Sequence, residues 1–127
     1  ITLPSTRRLS YVNACVSGDG PYARIQYDGL DQTTKKWCKQ DTYGGKLVEN
    51  LIQAIARDCL VETMLRIDEN HYSIVFHVHD EVIVEVPADD AEDDLRIIKD
   101  IMATPFDWAP GLTLKAEGFC CDFYLKD

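Results

Sequence analysis

The sequence predicts an α+β fold, an antiparallel sheet with a central His-Asp-Glu β-hairpin packed against two long helices. Three observations predict it. Two runs rich in β-branched residues, 74–78 and 82–86, meet at His79-Asp80-Glu81, and such residues favour the pleated backbone. Residues 46–70 contain no Gly or Pro and repeat apolar side chains at helical spacing. Residues 1–42 instead alternate and break at turn-forming dipeptides.

The 127 residues are one domain's worth of chain, and 46% apolar with 28% charged content is ordinary for a globular protein. No apolar run approaches the ~20 residues a bilayer-spanning helix needs, so no membrane partner is expected. The first residues, Ile1-Thr-Leu-Pro-Ser-Thr-Arg-Arg, have neither the basic start nor the apolar core of a signal peptide. They lack an initiator Met and read as mid-strand, which is the expectation for a fragment of a longer protein. Five cysteines (Cys15, Cys38, Cys59, Cys120, Cys121) form an odd set without C-x-x-C spacing, so free thiols in a reducing cytosol are expected. The net charge of −9 argues against broad attraction to nucleic acid. It is uneven, however. Asp89, Asp90, Glu92, Asp93, Asp94 and Asp100 cluster late in the chain, while Arg7, Arg8, Lys35, Lys36 and Lys39 lie early. A nucleic-acid surface, if the chain has one, is expected towards the N-terminal half.

In order, residues 1–42 read as two hairpins. Leu3-Pro-Ser-Thr-Arg-Arg-Leu-Ser-Tyr places a polar turn between short apolar segments, and residues 22–28 alternate before an expected break at Asp28-Gly29. Ser17-Gly-Asp-Gly-Pro is a loop by composition. Residues 43–70 follow as the long helix, with apolar positions on more than one face, as for a helix sandwiched between layers. One polar stripe remains at Lys46, Asn50, Gln53 and Arg57, spaced i, i+4, i+7, i+11 and flanked by Glu49. A solvated face accounts for it, and so do contacts to phosphates and base edges. Residues 72–87 form the hairpin. The remainder, 88–127, opens with a helix to about Met102, capped by Asp89 or Asp90 with acidic residues complementing the dipole. A loop at 104–111 leads to a last strand at 112–118 and an aromatic tail.

The hairpin tip is the candidate site. It has no Gly or Asn to mark a passive turn, and charges buried there without partners would be costly, so it is expected to face a cleft or a metal ion. Three readings fit. Asp80 with Glu81 holds Mg²⁺, a hard cation that bridges carboxylates to phosphates. Alternatively His77 and His79, at i, i+2 on one strand face, ligate zinc with Asp80, as in a zinc protein or metal-dependent hydrolase. The third reading is a structural turn with its charges in water.

The hairpin, the preceding helix bearing Gln53, the stretch Asp41-Thr-Tyr-Gly-Gly-Lys-Leu-Val-Glu-Asn-Leu-Ile-Gln-Ala-Ile-Ala-Arg-Asp, the Leu3 segment and the ending Glu117-Gly-Phe-Cys-Cys-Asp-Phe-Tyr resemble family A DNA polymerases of the phage and prophage branch. The resemblance covers nearly the whole chain. It implies the C-terminal part of a polymerase palm, in a cytoplasmic enzyme that joins dNTPs to a primer on a DNA template. Asp80 then matches the second metal-binding aspartate of a two-Mg²⁺ site, Glu81 an auxiliary carboxylate, and His79 the histidine at the primer terminus. Gln53 matches a glutamine touching the minor groove. The family's asparagine four residues before it is Glu49 here, with Asn50 adjacent, and Lys46 is the nearest cation to the family's arginine a turn earlier. Arg7 or Arg8 would reach the DNA backbone. The first metal-binding aspartate and the nucleotide-binding Lys and Tyr of the fingers have no match here, so the other palm strands, fingers and thumb are implied partners. Two-metal chemistry needs carboxylates from both sides, and the chain alone is expected to be inactive. A non-catalytic palm-like interaction module is the alternative.

Overall fold

A computed structural model describes residues 1–125. Lys126 and Asp127, the end of the expected 88–127 segment, lie outside the described residues. The architecture is α+β, with antiparallel sheets and two α-helices. The chain divides into two compact units, Ile1–Ile55 and Ala56–Asp127.

In the first unit, strands β1 (Val12–Ser17), β2 (Arg24–Leu30) and β3 (Trp37–Thr42) form an antiparallel meander. The Leu3 turn precedes it, closed by a bridge between Thr2 and Arg8 and by Leu3 N–H donating to Arg7 O at 2.8 Å. A bulge interrupts β1 between Val12 and Cys15. There Asn13 takes a left-handed φ of 51°, a conformation Asn tolerates, and its amide donates to Asp28 at 2.7 Å. Asp28-Gly29 does not break the strand. Both residues lie inside β2, paired with Lys39 and Cys38, and the turn falls closer to β3. That turn is built on Asp31, whose carboxylate accepts from Thr33 N–H (3.1 Å), Thr34 N–H (2.6 Å) and the Thr34 hydroxyl (2.8 Å). An Asp folding back on its own backbone is the stronger turn signal here.

Helix α1 runs Gly44–Glu69, close to the expected span. It ends with His71 at φ 66°, His71 N–H donating to Asp68 O and Tyr72 N–H to Ile67 O. This is the Schellman closure, with histidine where glycine is usual. Strands β4 (Ser73–Val78) and β5 (Glu81–Glu85) then pair antiparallel, and helix α2 spans Ala91–Ala103 after a short 3₁₀ turn at Ala88–Asp90.

Four further expectations are corrected. The His-Asp-Glu hairpin is a separate two-stranded sheet rather than the centre of a larger one. Residues 112–118 are not a strand, because they pair with no neighbouring strand; the end of the segment lies against α2 instead, where Gly118 abuts Leu95 and Glu117 pairs with Lys99 at 3.9 Å. Asp90 occupies the N-cap of α2, but neither it nor Asp89 caps through its side chain, since the 3₁₀ turn already supplies the helix entry. His79 does not continue the strand face of His77, because it turns out of β4 at φ 53°.

In the second unit Leu60, Thr63 and Ile67 recur at three- and four-residue spacing on α1 and are buried, as is Phe106. Arg66 fastens the 104–110 loop to the helix. It donates to Thr104 O at 2.8 Å and Pro105 O at 3.1 Å, pairs with Glu62 at 2.8 Å, and lies over the Phe106 ring at 4.6 Å. Glu62 also accepts from the Trp108 indole N–H at 2.5 Å, and Trp108 stacks on Phe106.

Candidate functional site

The hairpin tip consists of His79 and Asp80, with Glu81 opening β5 opposite Val78. A two-residue reversal needs a positive φ, and here His79 adopts it without a glycine. The join is therefore a tight turn whose positions carry functional groups. His79, Asp80 and Glu81 are all exposed. Among the described residues, the Asp80 and Glu81 carboxylates have no hydrogen-bond or ion-pair partner, unlike Asp28, Asp31, Asp41 and Asp94. Free carboxylates on two consecutive residues are hard oxygen donors suited to Mg²⁺, which a protein holds through one or two carboxylates with substrate phosphates completing the shell. The donor chemistry fits Mg²⁺, with the set incomplete.

A zinc site is less well supplied. No group of three or more His, Cys, Asp or Glu side chains is gathered for a metal ion among the described residues. His77 is engaged by Arg57 instead, with Nη1 3.3 Å from Nδ1 and Nη2 3.2 Å from Nε2. A guanidinium only donates and a neutral imidazole has one acceptor nitrogen, so one contact is a hydrogen bond and the other is packing. The five cysteines are free, and Cys59 and Cys120 have thiols pushed up chiefly by burial.

In the first unit the polar stripe of α1 is put to two uses. Lys46 pairs with Glu49, its ammonium 3.1 Å from both carboxylate oxygens, and Gln53 donates to the same carboxylate at 3.5 Å. These three side chains are exposed. Asn50 is half-buried and donates to the Tyr11 hydroxyl at 3.2 Å. Sequence reasoning missed Tyr11, which lies 39 residues away in no shared pattern. The two arginines of the Leu3 turn also differ. Arg7 donates to Ala54 O of α1 at 2.8 Å, whereas the Arg8 guanidinium is exposed and has no partner among the described residues.

Over its whole length this chain is 43% identical, across 129 aligned residues, to a protein named DNA polymerase from Bacillus phage SP02. The match takes in 19% of that relative, so the chain spans about a fifth of its length. No family model matches the chain, and no solved structure matches it.

Proposed function

We propose that this chain is a segment of a template-directed DNA polymerase of the family A type. In this reading it is the C-terminal part of the palm, and Asp80 is one of the metal-binding carboxylates of the nucleotidyl-transfer site. The observation that carries this reading is the 43% identity to a phage DNA polymerase along the entire chain. The exposed, unpartnered carboxylates at a tight turn support it independently.

In this reading Asp80 and Glu81 present oxygen ligands at the hairpin tip, and the remaining palm supplies the second aspartate. Mg²⁺, when bound, neutralises triphosphate charge and makes the primer 3′-hydroxyl a better nucleophile. His79 donates a hydrogen bond to the primer terminus and holds the reacting oxygen in place. Gln53 and Asn50 offer amides to the minor groove, where base edges present mainly acceptors. Lys46 and Arg8 take the phosphate backbone, and Arg7 orders the Leu3 turn. The working site acts on primer–template DNA and dNTPs, in the cytoplasm of a bacterial or phage-infected cell, with fingers and thumb from the rest of the polypeptide.

The test is primer extension by the full-length polypeptide that carries this chain. Template-directed incorporation that requires Mg²⁺ and is abolished by EDTA is expected, with no extension and only weak Mg²⁺ binding by the 127 residues alone. Extension by the isolated chain, or its absence from the full-length protein, contradicts the reading.

A further inference from the structure

The tip of the β2–β3 hairpin carries a feature that the proposed catalytic residues do not use. Trp37 opens β3 and is 65% exposed, and Leu30, its cross-strand partner, is 48% exposed. Opposite residues of an antiparallel pair share a face, so the two make one apolar plate at the loop end of the sheet. Lys35 and Lys36 immediately precede it and are exposed, while the next cation along the strand, Lys39, is tied to Asp28 at 3.2 Å. The plate is held rigidly. Besides the Asp31 turn, Asp31 N–H donates to Lys36 O and Lys35 N–H to Asp31 O, each at 2.9 Å, and Lys35 is fixed at φ 55°.

The charge around the plate is the opposite of the chain's average. The unit Ile1–Ile55 holds seven basic and five acidic residues, net +2, while Ala56–Asp127 holds six and seventeen, net −11, together the −9 of the whole. An exposed aromatic directly after two exposed lysines in the chain, in the positive unit of an acidic protein, matches a base with its flanking phosphates.

We propose that Trp37, with Lys35 and Lys36, is a stacking platform for single-stranded DNA, such as the unpaired template beyond the primer. This rests on the polymerase reading and adds to it a surface on different elements from the Asp80 hairpin. The indole stacks on one base without reading its identity, and the two lysines hold the adjacent phosphates.

The full-length polypeptide and its Trp37→Ala, Trp37→Phe and Lys35→Gln/Lys36→Gln variants are titrated by fluorescence anisotropy with a labelled oligo-dT strand over a series of salt concentrations. Trp37→Ala should weaken binding by roughly five- to a hundredfold, with Trp37→Phe retaining most of the affinity. The double glutamine variant should lower the slope of log K against log salt by about 1.4, near 0.7 for each phosphate that is no longer neutralised. A 5-bromodeoxyuridine oligonucleotide should crosslink to Trp37. Affinities within about twofold of wild type for all three variants, with an unchanged salt slope, overturn the proposal. So does a Trp37→Ala variant that melts several degrees lower but binds oligo-dT normally, since the indole then packs on the protein. Failure of these tests in an enzyme that incorporates nucleotides removes the platform and leaves the polymerase reading standing. Trp37-dependent binding by a protein that incorporates none does the reverse.

Discussion

Asp80 differs from Asp28, Asp31 and Asp41, the aspartates of the three-stranded sheet and its turn, in having no hydrogen-bond partner among the described residues. Asp31 accepts three hydrogen bonds, the Thr34 N–H chief among them, and its carboxyl is held below the ordinary 3.8. Asp28 is lowered mainly by the Asn13 amide and then by Lys39, and Asp41 mainly by Gln26 and then by Arg24. A carboxylate lowered on folding contributes stability that is full above its unfolded pKa and disappears as the pH falls through its folded value. The β2–β3 hairpin should therefore be insensitive to pH above about 4 and loosen below it. In NMR spectra the Thr34 amide proton should titrate with a midpoint below 3.8, and a midpoint at or above that value would show that the turn does not depend on the Asp31 carboxylate. The sequence marked His79, Asp80 and Glu81 as an unusual turn because the strand signals on either side were strong. It could not show that Asn50 belongs to Tyr11 or His77 to Arg57, because those partners meet only once separate elements are folded.

At the scale of elements, the long helix and the His-Asp-Glu hairpin were legible almost to their ends, since both rest on local periodicity and β-branching. Errors came where pairing decides the outcome. Asp28-Gly29 has turn chemistry, yet a six-residue ladder with β3 runs through it. Residues 112–118 alternate like a strand, yet alternation specifies an extended backbone and not a hydrogen-bonded neighbour. The Arg66 clamp was also invisible, as its acceptors are backbone carbonyls 38 and 39 residues away. Arg66→Ala should cost about 2 kcal/mol, from removing charge-assisted bonds and packing on Phe106 together. Arg66→Lys should recover little, because an ammonium lacks the planar fork. Urea unfolding measures both, and a cost below about 0.3 kcal/mol for Arg66→Ala would show that the 104–110 loop is held by other means.

For the whole molecule, α+β composition and the placement of positive charge in the N-terminal half were readable from residue order alone. The thin core was not. Among the described residues the buried apolar side chains are Leu3, Leu60, Ile67 and Phe106, while Val16, Val48, Ile52, Leu65 and Phe123 are each more than half exposed. So much uncovered apolar surface fits a segment built to pack within a larger protein. The identity shared with a phage DNA polymerase along the full chain points the same way. The most direct measurement of the central claim is single-turnover nucleotide incorporation by the full-length polypeptide, comparing wild type with Asp80→Ala at saturating primer–template. The account predicts a drop of at least about a hundredfold in the incorporation rate, with DNA affinity changed by less than about threefold, a difference under about 1 kcal/mol. Incorporation near the wild-type rate in Asp80→Ala would contradict the assignment of the hairpin as a metal-binding site.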